Sequence, residues 1–335
     1  MSVSVSPDPA LDADVRASLT GGSLSRGRKV RNGAASVMMV VAFLAAAVPL
    51  FVMGAQVLSQ GVSAVANLDW WTQPIPETGR ADLSGNAELA DLGFGTAPTT
   101  GEPSASAGAS DVVLGMAPAI VGTLLTVLGA SALAIPLGIM GAVYLHEYGK
   151  TGRLARFIRF MTDVMSGVPS VIMGVFIFTV WVLPQGVSGK SAWAASLALA
   201  CLMLPIVVRS TEEMLRLVPD SLREASAALG TRTWKTTVTV VLPAAVAGIT
   251  SGALLAVARA AGETAPVVFV IGFVTTVNAS FSGQNTTLSA QIYGQQQAGG
   301  ALAQQLAWGA AVTLIAIVLT LTLVARAISR RFENG

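Results

Sequence analysis

Six stretches of this chain are apolar over 18 residues or more: 33–58, 112–145, 157–183, 191–208, 242–277 and 304–324. A helix rising 1.5 Å per residue crosses a hydrocarbon layer about 30 Å thick in about 20 residues, so each stretch can span a bilayer. Ala, Leu, Val and Gly dominate them, and nowhere do apolar and polar residues alternate with period two, which favours helices over a barrel. Composition agrees: 53% of the 335 residues are apolar and 11% charged, against roughly a quarter charged in soluble domains. The first stretch follows Arg26, Arg28, Lys29 and Arg31, as a secretory signal would, but it exceeds a signal's apolar region of about 7–15 residues. It reads as a retained helix. The expected fold is an all-α membrane protein with six transmembrane helices.

Lys and Arg orient those helices, because basic residues accumulate on the cytoplasmic side. The tail before residue 33, the segments 146–159 and 209–240, and the C-terminal tail together hold 17 of the 20. Both termini are therefore expected in the cytoplasm. Five parts follow: a tail at 1–33, a first helix at 34–59, an extracytoplasmic low-complexity loop at 60–111, a core at 112–325 with a cytoplasmic segment at 209–243, and a tail at 326–335. The net charge of +2 gives no nucleic-acid footprint. One cysteine, Cys201, rules out an internal disulfide, and one histidine with no HExxH motif leaves little for a zinc site. The string from Pro184 to Ser191 imitates a Walker A motif but has Pro184 where Gly is required and no strand before it. If ATP drives this protein, another chain binds it.

The cytoplasmic segment carries the most specific pattern. Glu224, Ala225 and Ser226 are followed by three residues, Gly230, nine residues, Val240, and then Leu242 and Pro243. Small residues let a short helix press into a groove, Gly230 ends it, and Pro243 opens the next membrane helix. This spacing resembles the EAA loop of ABC importer permeases, with Ser226 replacing an Ala. The stretches from Val207 to Arg223 and from Ala258 to Pro266 look like the phosphate-uptake (Pst) permeases, as do those from Tyr144 to Tyr148 and from Gly167 to Ser170. Gln304 to Trp308 points to the PstA-type subunit. The resemblance implies a type I ABC importer (MetI-like) permease core plus one extra N-terminal helix. It also implies a PstC-type permease as heterodimer partner, two copies of a cytosolic ATPase that use ATP and Mg, and an extracytoplasmic phosphate-binding protein. No cofactor is expected in this chain. Arg223, Glu224, Ala225, Ser226, Gly230, Leu242 and Pro243 would couple it to the ATPase.

A second signal is physical. The fifth run is 36 residues long, and its only charges are Arg259 and Glu263 near the midpoint. A break is expected at Gly262 and Pro266, and broken helices expose polar backbone to substrates in transporters. An Arg at that depth costs about 2.5–3.5 kcal/mol even on the lenient insertion scale, so it requires a partner. Its planar fork of donors suits an oxyanion, and Glu263 at i+4 can pair with it when the site is empty. Thr264 joins them in the expected pathway. Arg209 is either a cytoplasmic anchor or a gate contact; Ser166 and Ser170 flank a Gly-Val-Pro break and could donate hydroxyls to an anion. Asp163 reads as an interfacial partner, and His146 and Glu147 as interfacial residues at a helix end. Two alternatives stay open: a permease for another oxyanion such as sulfate or molybdate, and a proton-coupled secondary carrier using Arg259 and Glu263.

Overall fold

The computed structural model describes residues 26–76, 113–149 and 152–333, and every regular element among them is helical. Residues 1–25 and 77–112, covering most of the expected N-terminal tail and outer loop, lie outside the described residues. Among the described residues five helices are long and apolar enough to cross a membrane. They lie in α1 (Arg26–Val65), α3 (Ala117–Gly149), α6 (Ala192–Leu217), α8 (Thr233–Ala261) and α11 (Gly300–Glu333). Short helices α2 (Asp69–Thr72), α7 (Asp220–Ala228), α9 (Ala265–Val270) and α10 (Leu288–Ala298) connect or flank them.

The third expected crossing is not one helix. It divides into α4 (Arg153–Gly167) and α5 (Ser170–Gln185), bent by 105°, and the pair makes a sixth span only when counted together. Pro169 cannot donate to a helix, and it holds Val168 before it in extended backbone at φ −76° and ψ 131°. Arg153, Arg156, Arg159 and Asp163 on α4 also suit a polar surface better than hydrocarbon. The fifth run does break where expected, with α8 ending at Ala261 and α9 starting at Ala265. Its start is earlier than residue 242: α8 begins at Thr233 and passes through a π-helical stretch at Thr237–Val241. The bond lost at Pro243 thus falls just after the register has already shifted. Helices α1 and α11 likewise outrun 34–59 and 304–324, the latter continuing to Glu333 in the expected C-terminal tail.

Contacts divide the chain at Gln56. Up to there the described residues are a single helix whose apolar side chains, Met38, Phe43 and Phe51 among them, are exposed, as a lipid-facing helix requires. From Val57 onward the core forms around α6. Helix α3 runs parallel to it, Gly129 lying against Ser196 and Gly138 against Val207. Helix α8 runs antiparallel, Gly248 against Met214 and Gly252 against Ser210, with Ala256 and Ala260 continuing the same row at every fourth residue. Apolar lipid gives helices no hydrophobic reason to associate, so close backbone approach over small side chains supplies the attraction. Toward the other end Trp70 is fully buried over Gly309 and donates its indole N–H to Thr313 Oγ1 at 2.9 Å.

These contacts separate two glycine substitutions. A Cβ on Gly174 would stand 2.6 Å from the Pro266 Cα, a backbone atom that cannot swing away, whereas one on Gly141 would make an ordinary 3.6 Å contact with Val208 Cγ2. Gly174→Ala should lower stability by about 1–3 kcal/mol and Gly141→Ala by little. Thermal unfolding of the detergent-solubilised protein checks this; equal melting temperatures for the two variants would contradict the packing described.

Candidate substrate pathway and coupling segment

Helix α8 ends in a tightened turn, with the N–H groups of Gly262 and Glu263 donating to Arg259 O at 3.1 Å and Ala260 O at 3.2 Å. The chain then runs irregularly to Thr264, a half-buried residue whose carbonyl accepts the first bond of α9. This break presents Arg259 and Glu263 in a narrow cleft walled by Leu202, Met203, Ile206, Ala256 and Ala260. The guanidinium Nε lies 3.8 Å from Glu263 Oε1, at the outer limit of an ion pair; the Arg259 side chain is 70% exposed and that of Glu263 only 21%. Most of the five guanidinium donors therefore point away from the carboxylate, in a fork whose geometry matches an oxyanion.

Arg209 belongs to a different cleft. Its Nη2 donates to Asp163 Oδ1 at 2.6 Å and to Ser166 Oγ at 3.2 Å, so it joins α6 to α4 across exposed surface. Arg159, one turn before Asp163 on α4, donates to Glu212 Oε1 at 2.9 Å and to Leu145 O at 3.0 Å. Arg159, Asp163, Arg209, Glu212 and Arg216 line a cavity of about 230 Å3. Ser166 is committed locally, donating to Asp163 O at 2.8 Å, and Ser170 opens α5 on the other side of the bend. Of the six expected pathway residues, the structure thus groups Arg259, Glu263 and Thr264 at one break. It groups Arg209 with Ser166 elsewhere and leaves Ser170 beside them in sequence.

The coupling pattern folds as a helix, a left-handed glycine and a second helix start. Gly230 has φ +76°, a region that costs other residues roughly 1–2 kcal/mol, and its N–H donates to Ala227 O at 2.9 Å to close α7. Ser226 explains its own departure from Ala. Its buried hydroxyl lies 2.6 Å from Thr231 Oγ1 and 2.8 Å from Thr236 Oγ1, locking α7 against the start of α8. Glu224, Ala225 and Leu222 are exposed on α7 and Leu229 is exposed at its C-cap, while Leu242 and Pro243 lie within α8 just past its π-helical stretch. Arg223 faces inward. It donates to Leu215 O and Val218 O at 2.9 and 2.7 Å, to Asp220 Oδ1 at 3.0 Å, and to Glu147 Oε1 at 3.0 Å. Glu147, expected as an interfacial residue, is instead 8% exposed and joined to the coupling segment. An acid followed by Lys150, Arg153, Arg156 and Arg159 was the available signal, but sequence alone does not bring residues 147 and 223 together.

The string from Pro184 to Ser191 forms the end of α5, a 3-10 turn at Gly186–Gly189 and the N-cap of α6, where Ser191 Oγ accepts from the Ala194 N–H at 3.2 Å. Burial pushes the Lys190 ammonium below the usual lysine range. A helix N-terminus already capped by its own serine is not a phosphate cradle.

Comparison with known proteins agrees with this geometry. Residues 134–334 match the family model for the binding-protein-dependent transport system inner membrane component. The chain is 41% identical over 299 residues to the phosphate transport system permease protein PstA 1 of Mycobacterium tuberculosis (strain ATCC 25618 / H37Rv), covering 89% of this chain and 87% of that protein. It is 40% identical over 297 residues to PstA of Mycobacterium leprae, covering 88% of each. Among solved structures, a chain of the MetNI methionine ABC transporter in an inward-facing conformation superposes with a TM-score of 0.50 at 20% identity, over 63% of this chain and 91% of that one. That likeness shows the fold alone, a MetI-like permease core. A multi-pass membrane chain with that core and that family match belongs to the binding-protein-dependent inner membrane transport components, as a PstA-type permease subunit with no ATPase chemistry of its own.

Proposed function

We propose that this chain is one permease subunit of an ATP-driven importer of inorganic phosphate in a bacterial cell membrane, with both termini in the cytoplasm. The observation that carries the reading is Arg259: a largely exposed guanidinium at a broken helix within apolar walls, in a chain about 40% identical to proteins named for phosphate transport. A PstC-type permease completes the pathway as heterodimer partner, an extracytoplasmic binding protein delivers phosphate, and two copies of a cytosolic ATPase use ATP and Mg. Those ATPase subunits grip α7 at its exposed Glu224, Ala225 and Leu229, and α7 passes their closure to α6 and α8. Access to the Arg259 site then alternates between the two sides. Arg209 sits in a cytoplasmic cleft with Ser166, where exchange of its bond to Asp163 for a passing anion would suit a late step. The anion is held by charge-assisted bonds from Arg259, and Glu263 accepts a hydrogen bond from an oxyanion that still carries a proton, as phosphate does near neutral pH and sulfate does not.

Three substitutions test this in proteoliposomes containing the full complex. Arg259→Gln should reduce uptake of labelled phosphate by about one to two orders of magnitude, the worth of a charge-assisted bond, with Arg259→Lys also impaired because a point charge lacks the fork. Wild-type uptake by Arg259→Gln at equal abundance would leave the residue as a structural ion pair. Glu263→Gln, able to donate as well as accept, should admit sulfate as a competitor; unchanged sulfate exclusion with unchanged uptake would remove Glu263 from selectivity. Replacement of Gly230 by Leu should abolish uptake while the permease still inserts, because φ +76° at the end of α7 cannot then be held without strain. Normal uptake by that variant would show that α7 does not transmit closure.

A further inference from the structure

Arg223 is a guanidinium with two kinds of partner. Leu215 O, Val218 O and Asp220 Oδ1 all come from the corner where α6 ends and α7 begins, and alone they would make Arg223 a local cap on α6. The remaining partners come from a different membrane helix. Glu147 Oε1 accepts from Nη2 at 3.0 Å and from Nε at 3.3 Å, and His146 Nε2 lies 3.3 Å from Nη2. A guanidinium can only donate, so that imidazole nitrogen is the acceptor and His146 is neutral in this arrangement. Both residues lie in the π-helical turn Tyr144–Gly149 that ends α3. The carboxylate is 8% exposed and the guanidinium 19%, so solvent screens the pair far less than the open Arg209 and Asp163 pair, at 50% and 65%.

We propose that Glu147 is a positioning residue for energy coupling: by holding Arg223 it fastens the first turn of α7 to α3, so that movement of α7 reaches α3 as well as α6. The inference rests on α7 being the helix the ATPase grips. Without Glu147 the contacts to Leu215 O, Val218 O and Asp220 would still fix the α6 corner, but the charged strut to α3 would be lost and only the 3.3 Å contact to His146 would remain. Downstream, α3 is packed along α6 through Gly138 against Val207 and Gly129 against Ser196, close enough that the two helices move together. The hydroxyl cluster of Ser226, Thr231 and Thr236 serves α8 in the same way, so α7 has one polar fastening to each of the two helices packed along α6 through their glycines.

The test uses the complete reconstituted transporter. Glu147→Gln keeps size and removes charge. It should raise the ATP hydrolysed per phosphate imported by at least about fivefold, the lower range of measured coupling energies, while the ATPase subunit still co-purifies at the wild-type ratio. Glu147→Asp should recover most of the loss. A wild-type ratio in Glu147→Gln, or a parallel fall in hydrolysis and uptake with an unchanged ratio, overturns the proposal. A substrate-free readout places a spin label at exposed Met140 of α3 in a Cys201→Ser background. The nucleotide-driven change in label mobility should vanish in Glu147→Gln, and its persistence would overturn the proposal. A wild-type complex whose label responds to ATP but which imports no phosphate would contradict the phosphate reading and leave this coupling role standing. Should Glu147→Gln fail to assemble, Arg223→Lys is measured in the same assays, and wild-type coupling there also overturns it.

Discussion

Close packing around α6 is the constraint on which the rest of the structure depends. Gly138 and Gly129 bring α3 against one side and Gly248 and Gly252 bring α8 against another, at separations where an added Cβ would fall within 3 Å of a neighbour. Lipid offers no hydrophobic gain for that association, so the small-residue rows must supply it through van der Waals contact. The consequence is mechanical. Helices packed this closely shift as bodies between discrete arrangements, and Arg259, Arg209 and Glu147 sit near the ends of these helices or in the clefts between them.

Charge is distributed with the same economy. Within the apolar walls, Arg259 and Glu263 appear together at a helix break, 3.8 Å apart, with the guanidinium left open. Toward the C-terminal end of α6, three pairs tie it and its neighbours together: Arg209 with Asp163, Arg159 with Glu212, and Arg223 with Glu147. The first is exposed and contributes little to stability, whereas the third is mostly buried and exchanges solvent for geometry. An exposed pair can open at little cost, whereas a mostly buried, many-partnered one holds its geometry.

Much of this was legible in the sequence. The apolar runs marked most of the helices, the unusual length of the fifth run marked its break near Gly262, and the spacing around Glu224 marked a short helix closed by Gly230. What stayed hidden has physical causes. The bend between α4 and α5 depends on Val168 and Pro169 inside a run that is apolar enough to pass for a single span. Helix α10 is rich in Gln and buries a polar face, Gln291 donating to Thr286 Oγ1 at 3.0 Å, so no apolar period marks it. Glu147 read as an interfacial residue because its partner is 76 residues away, and Ser226 looked like a mild departure until its hydroxyl found Thr231 and Thr236.

Energy source is where the central claim is most exposed. The direct measurement is accumulation of labelled phosphate in proteoliposomes holding this chain, its permease partner and the ATPase, with binding protein supplied on the opposite face and with ATP or a pH gradient imposed separately. Accumulation that requires ATP, the ATPase and the binding protein, and that is indifferent to the gradient, is the expected result. Accumulation driven by the gradient through this chain without the ATPase would contradict it, and would make Arg259 and Glu263 the proton-coupled pair of a secondary carrier.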